Sequence, residues 1–364
     1  MRVMLVVGAR PNFIKVAPLM EEFKRNPKIE PILVHTGQHY DFELSKSFFD
    51  DLEIPEPKIN LEVGSHPYKE QISRIMQRFE LVVLKEKPEL IIVFGDVNST
   101  LGCSVVASKL GIKIAHVEAG LRSFNWTMPE EINRVVTDRF SDILFTTEKS
   151  GNENLIRECT DKSNIYFVGN IMIDALVNNL EKIKKNKVLE EFGLKSKEYC
   201  VVTLHRPENV DNKEKLCKLL GMLEGIQSEI NILFPMHPRT AKRIKEFKLT
   251  DRIQEMKNLK VKEPISYPRF VKAVMDSKFV MTDSGGIQEE STFLGVPCLT
   301  LREETERPST VEIGTNSVIG TDKNKVMKEF EKIMKGTYKK GGVPELWDGR
   351  TSQRILKIIV ESLE

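Results

Sequence analysis

Lys278–Glu290, KFVMTDSGGIQEE, joins a strand pattern to a helix pattern across a Ser-Gly-Gly turn. Its apolar start, Lys278–Met281, reads as a buried strand. After Thr282-Asp283-Ser284 the pattern turns helical and ends near Gly295-Val296-Pro297. A chain that leaves a strand at Ser-Gly-Gly and enters a helix presents unpaired N–H groups at the positive end of the helix dipole, which suits an anion such as a diphosphate. Gly285 and Gly286 carry no Cβ, so a ligand can approach the backbone closely. Glu290, one turn further on, offers a carboxylate to a ribose diol. An anion cradle backed by an acid suggests a nucleotide, although the same residues also make a plain strand–turn–helix with an Asp/Ser cap.

Working outward, the chain has 364 residues, more than one ordinary core holds, so two domains are expected. With 40% hydrophobic and 30% charged residues it reads as a soluble globular protein. A net charge of +2 gives no general attraction to nucleic acid or to a membrane surface. No apolar stretch approaches the roughly 18 to 20 residues that span a bilayer. MRVMLVVGARPN at the start has a basic residue before an apolar run. It is too short for a signal peptide and reads as a first buried strand. Cys103, Cys159, Cys200, Cys217 and Cys298 are scattered without a CxxC pair, which argues against disulfides and zinc and for a cytoplasmic location.

Short β-branched runs alternate with amphipathic segments along the whole chain, the rhythm of βαβ units on parallel sheets. The first series of strands is Arg2–Val7, Glu30–His35, Leu90–Phe94, Lys113–His116 and Ile143–Thr146. A second runs from Tyr199–Leu204 through Phe279–Thr282 to Ser317–Ile319. The expected fold class is α/β, with two doubly wound, Rossmann-like domains and a cleft between them. Residues 1–169 form the first and residues 170–350 the second, with a hinge at Gly169-Asn170. Residues 351–364 form a last helix that crosses back to the first.

Ligands of open parallel sheets gather at the carboxyl ends of the strands. Here those ends carry Gly8-Ala9-Arg10-Pro11-Asn12 with Lys15 one turn on, then Gly95-Asp96, His116-Val117-Glu118 and Pro129-Glu130-Glu131. In the second half they carry His205-Arg206-Pro207, His237-Pro238-Arg239, and Arg302 with Thr305-Glu306-Arg307. Arg10 and Lys15 are candidates for a phosphate, although a lysine at a helix start is more often solvated. Asp96 also fits a helix N-cap, and Glu131 fits ordinary helix initiation. No GxGxxG is present and no acidic cluster suits magnesium, so neither NAD nor a metal is expected.

GARPNFIKVAPL, FGDVNSTL, HVEAGLRS, PEEINR, VGNIMIDAL, LHRPEN, PMHPR, TDSGGIQEE and GVPCLTLREETERP, in that order along essentially the whole chain, resemble the non-hydrolysing UDP-N-acetylglucosamine 2-epimerases. The resemblance implies the glycosyltransferase-B fold, an active site in the inter-domain cleft, and a cytoplasmic homodimer that needs no NAD or metal. The implied substrates are UDP-GlcNAc and UDP-ManNAc, interconverted for surface glycans. It also implies UDP contacts from Arg10, Lys15, His205, Phe270, Ser284, Gly285, Gly286, Glu290 and Arg307. Asp96, Glu118 and Glu130, with His205, are implied as catalytic residues. Gln38, Asp41 and His237 match regions that form a second UDP-GlcNAc site in some bacterial members. This chain departs from many of those at Pro207 and around Gln38–Asp41. A hydrolysing epimerase, a glycosyltransferase of the same fold and an inactive UDP-sugar sensor are the alternatives.

Overall fold

The computed structural model describes residues 1–38, 54 and 56–363. The chain divides into two compact units, Met1–Asn178 with Glu345–Glu364, and Asn179–Pro344. The division falls after Asn178 rather than after Gly169. The helix Ile171–Asn178, IMIDALVN, is almost wholly apolar and buries itself against the helices Arg10–Arg25 and Thr351–Leu363 of the first unit.

The first unit holds β1 (Arg2–Val7), β2 (Glu30–His35), β3 (Ile59–Asn60), β4 (Leu90–Phe94), β5 (Lys113–Ala119), β6 (Ile143–Thr146) and β7 (Ile165–Phe167). They form one parallel sheet in the order β3-β2-β1-β4-β5-β6-β7. Helices cover both faces, so the strands are near-continuous apolar runs; β4, LIIVF, is buried at every position. The helix Tyr68–Glu86 shows how one face is sealed. Ile75, Phe79 and Val83 recur every four residues, fall on one stripe and pack with Met4, Val6, Ile32 and Val34. Burial of each such side chain contributes about 1.5–3 kcal/mol. The helix stops at Lys87, whose φ of 50° is left-handed.

The second unit holds β8 (Tyr199–Thr203), β9 (Asn231–Pro235), β10 (Leu259–Lys262), β11 (Phe279–Thr282), β12 (Cys298–Thr300) and β13 (Asn316–Val318), parallel in the order β10-β9-β8-β11-β12-β13. Its core includes Phe279, whose ring lies 5.8 Å from that of Phe330.

Strand order reverses once in each sheet, between β1 and β4 and between β8 and β11. Loops leave in opposite directions there and open a crevice at the carboxyl ends. Lys15, Gly95-Asp96 and Glu118 lie beside the first reversal, and His205 and Ser284–Gly286 beside the second.

The last helix is anchored in the first unit. Asp174 accepts hydrogen bonds from the N–H groups of Thr351 (3.0 Å) and Ser352 (2.7 Å) and from the Ser352 hydroxyl (2.8 Å). Among the described residues, all five cysteines are free, no helix is long and apolar enough to cross a membrane, and no three His, Cys, Asp or Glu side chains converge as metal ligands.

Candidate active site at two strand-order reversals

At the β1/β4 reversal Asn12 ties the two strands together. Its Oδ1 accepts from the N–H groups of Gly8 and Ala9, each at 3.1 Å, and its Nδ2 donates to the Phe94 carbonyl at 3.0 Å. The helix Arg10–Arg25 starts there. Lys15, one turn in, is not the solvated lysine its position suggests. It is buried, and its Nζ is ion-paired with Glu118 Oε2.

Glu118 itself is unusual. β5 does not end at His116 but runs on to Ala119, with an irregularity between Val117 and Ala119 that gives Glu118 a φ of 73°. A non-glycine residue in that region is held there by its surroundings at some cost in strain. Its second oxygen, Oε1, is buried and finds no hydrogen-bond partner among the described residues. A buried, unsatisfied carboxylate oxygen is a group with chemical capacity to exchange a proton with a ligand.

Asp96 follows β4 through Gly95, which lies against this ion pair. A Cβ on Gly95 would stand 3.0 Å from Lys15 Nζ and 3.1 Å from Glu118 Oε2. Asp96 is ion-paired with Arg134, and its carbonyl accepts from Asn133 Nδ2 at 2.8 Å. Glu131 in turn binds Arg134 and accepts from Ser123 N–H (2.9 Å), Ser123 Oγ (2.9 Å) and Phe124 N–H (2.8 Å). Read from sequence as helix initiation, Glu131 thus fixes both the loop after Glu118 and the partner of Asp96. Glu130, by contrast, is half-buried in the first turn and makes no hydrogen bond or ion pair among the described residues. Lys15, Gly95-Asp96 and Glu118 are brought together; Glu130 is not joined to them by any bond. Arg10 opens the helix that carries Lys15, but its side chain, like the whole of Asp41, lies outside the described residues.

At the β8/β11 reversal the organiser is Asp283, which sequence reading took for a helix cap. It is buried and accepts from the N–H groups of His205 (3.0 Å) and Arg206 (3.0 Å) and from Asn209 Nδ2 (3.2 Å), while pairing with His205 Nδ1 at 2.8 Å. Burial raises its carboxyl, but the hydrogen bonds and the His205 ring outweigh burial and hold it below the ordinary value. The His205 ring lies 5.5 Å from that of His237. His237 caps the helix Pro238–Glu246, its Nδ1 accepting from the Arg239 N–H at 3.1 Å. Gln38, in the other unit, uses its side-chain oxygen on the Ser99 N–H (3.1 Å) and hydroxyl (2.7 Å).

Ser284 heads the helix Gly285–Phe293 without a side-chain cap bond, leaving the first-turn N–H groups, with those of Gly285 and Gly286, as anion donors. Gly285 lies close under Arg307: a Cβ there would stand 2.6 Å from Arg307 Nη1 and 2.8 Å from its Cζ, so the guanidinium would have to shift. Arg307 pairs with Glu289 (2.8 Å) and Glu306 (2.5 Å). Glu306 also binds Arg302 (2.9 Å) and faces Arg206 (3.9 Å), so three guanidinium groups surround one buried carboxylate. Burial pushes the Glu290 carboxyl up to about 8; the charge of Glu289 adds to this and the Tyr267 hydroxyl opposes it. Phe270, on the helix Tyr267–Asp276, is half-buried against Tyr199, Val280 and Ile287. Sequence reading passed over Asp283, Arg134 and Glu306, whose partners lie 38 to 78 residues away or are shared among three side chains.

Residues 21–360 match the family described as UDP-N-acetylglucosamine 2-epimerase. The UDP-N-acetylglucosamine 2-epimerase of Methanocaldococcus jannaschii is 42% identical over 364 residues, 99% of each chain. A relative from Pseudomonas aeruginosa, UDP-2,3-diacetamido-2,3-dideoxy-D-glucuronate 2-epimerase, is 35% identical over 366 residues, 99% of this chain and 100% of its own. The crystal structure of the Methanocaldococcus jannaschii UDP-GlcNAc 2-epimerase in complex with UDP-GlcNAc and UDP matches with a TM-score of 0.93 and 41% identity, covering 99% of this chain and 100% of that one.

Proposed function

The chain belongs to the UDP-N-acetylglucosamine 2-epimerase family; on that premise we infer that it epimerises UDP-N-acetylglucosamine at C-2, and we propose that it does so without hydrolysis, by elimination and re-addition of UDP. The observation that carries the proposal is Glu118, with one oxygen on Lys15 and the other buried and unsatisfied.

The C-2 hydrogen of the sugar is adjacent to no carbonyl and is scarcely acidic. Breaking the C-1–oxygen bond changes that, because positive charge growing at C-1 acidifies the C-2 proton. A carboxylate takes the proton, the C-2–H electrons form the C-1=C-2 double bond of 2-acetamidoglucal, and the C-1–O electrons leave with UDP. Return of a proton to the opposite face of C-2, with attack of the UDP oxygen on C-1, gives UDP-ManNAc. Two differently placed groups are needed, and Asp96 and Glu118 are proposed for them, with Glu130 in support. Arg307, the helix-start donors of Ser284–Gly286 and His205 are proposed on the leaving diphosphate, where charge stabilisation is usually the largest catalytic contribution. In this reading the enzyme acts as a homodimer without NAD or metal, and supplies ManNAc-derived sugars to surface glycans.

Incubation of the pure chain with UDP-GlcNAc in heavy water, followed by proton NMR, tests the proposal. UDP-ManNAc carrying deuterium at C-2 is expected. Release of free ManNAc would mean a hydrolysing enzyme, and absence of exchange would favour a transferase or a sensor.

A further inference from the structure

His116 is fully buried on β5, at the second position before Glu118, where an apolar residue would serve packing better. Both ring nitrogens are engaged. Nε2 lies 2.7 Å from the carbonyl oxygen of Gly95, the residue before Asp96, and because a carbonyl only accepts, this nitrogen donates. Nδ1 lies 2.6 Å from Asp138 Oδ1. The other oxygen of Asp138 accepts from the Gly120 N–H at 3.0 Å and from Arg122 at 2.7 Å, so the same carboxylate grips the chain just beyond Glu118. Arg122 continues to Glu158 at 2.7 Å. Burial raises the Asp138 carboxyl, but His116 and Arg122 outweigh burial and hold it below the ordinary value.

One chain of hydrogen bonds therefore runs from the backbone before Asp96, through an imidazole and a carboxylate, to the backbone after Glu118. Gly95 has a φ of 62° and Gly120 a φ of 78°, and Glu118 between His116 and Gly120 has a φ of 73°. The two grip points are left-handed glycines, free to adopt other conformations, and Glu118 is a left-handed non-glycine residue held at some strain. A second brace, the Gly95 N–H on the Val117 carbonyl at 3.0 Å, fixes the same two segments but leaves the orientation of the Gly95 carbonyl to His116.

We infer that His116 and Asp138 are positioning residues that set the Asp96 carboxylate against the Glu118 carboxylate, and that neither touches substrate. The inference rests on the assignment of proton transfer to Asp96 and Glu118. If the pair sets this geometry, its loss lowers turnover while leaving nucleotide capture intact, because the cradle belongs to the other unit.

The test compares full-length parent and His116→Gln, in which the amide can reach only one of the two partners. Expected is a fall in kcat of about 100-fold, the size associated with misplacement of reacting groups by about an ångström. KM for UDP-GlcNAc and the dissociation constant for UDP should each stay within about threefold of the parent. A folded His116→Gln with parental kcat, or a loss carried by KM and UDP affinity, overturns the inference. Should that variant not fold, Asp138→Asn, which keeps an acceptor for the Gly120 N–H, is expected to lose at least about tenfold in kcat with UDP affinity unchanged. Parental kcat there, or failure of both variants to fold, removes the positioning role. An inactive parent defeats the epimerase mechanism instead.

Discussion

The two strand-order reversals share a topology and carry opposite electrostatic designs. At β1/β4 acids outnumber cations: Lys15 serves Glu118, Arg134 is shared by Asp96 and Glu131, and one oxygen of Glu118 stays bare in a buried setting. At β8/β11 the ratio is inverted: Arg206, Arg302 and Arg307 crowd around Glu306. A pair that leaves an oxygen unsatisfied suits the gain and loss of a proton. A cluster with surplus guanidinium suits an anion that must be held as it leaves. The fold supplies the crevice in both units, and the side chains decide which half of the proposed chemistry each is suited to.

This contrast is most exposed to test at Glu118. Glu118→Gln should lower kcat by roughly 10⁴-fold, the upper end for a general acid or base, while UDP binding by calorimetry stays parental. A comparable loss of UDP binding would show that the division of labour is wrong. Asp96→Asn should lower kcat by about 10³-fold, again without loss of UDP affinity, and unchanged turnover would remove Asp96 from the mechanism. Arg307→Lys should do the reverse. It keeps the charge but loses the planar fork, so UDP affinity and kcat/KM should both fall, the latter by about 10²-fold. Gly285→Ala sharpens the point by moving Arg307 without removing it, and should weaken UDP by about tenfold in the same calorimetric titration.

Stability against pH gives the smallest and most specific readout. The folded chain holds the Glu290 proton up to about 8, whereas an unfolded glutamate releases it near 4.5. The folded state therefore binds more protons between those values, and this residue makes stability fall as pH rises through the window. Glu290→Gln should match the parent near pH 4 and exceed it above pH 8, by on the order of 5 kcal/mol in denaturant melts. Parallel stability curves for the two proteins would refute the assignment of this slope to Glu290.

Much of this was legible in the sequence because it is local. Thr282–Glu290 announces its strand, turn and helix within a few residues, and the strand ends with their His, Arg and acids follow from the βα rhythm. Long-range partnerships are not local. Lys15 meets Glu118 across 103 residues, and that encounter turns an apparent phosphate contact into the partner of an acid. Asp283 looks like a cap from its neighbours in sequence, yet its bonds go to His205, Arg206 and Asn209. The sequence pattern ends β5 at His116, three residues short of Ala119, because a left-handed glutamate inside a strand has no sequence signature. The division after Asn178 was missed for a related reason: the hinge-like Gly169-Asn170 is locally persuasive, and only packing shows that Ile171–Asn178 stays with the first unit.

The return of Glu345–Glu364 to the first unit has a consequence for biosynthesis. Asp174 waits, buried, for the N–H groups of Thr351 and Ser352, which leave the ribosome only after every residue of the second unit has been made. Domains usually fold in the order of translation. Here the earlier-translated unit closes last, and a nascent chain stalled before Thr351 would carry a finished second unit on an unfinished first.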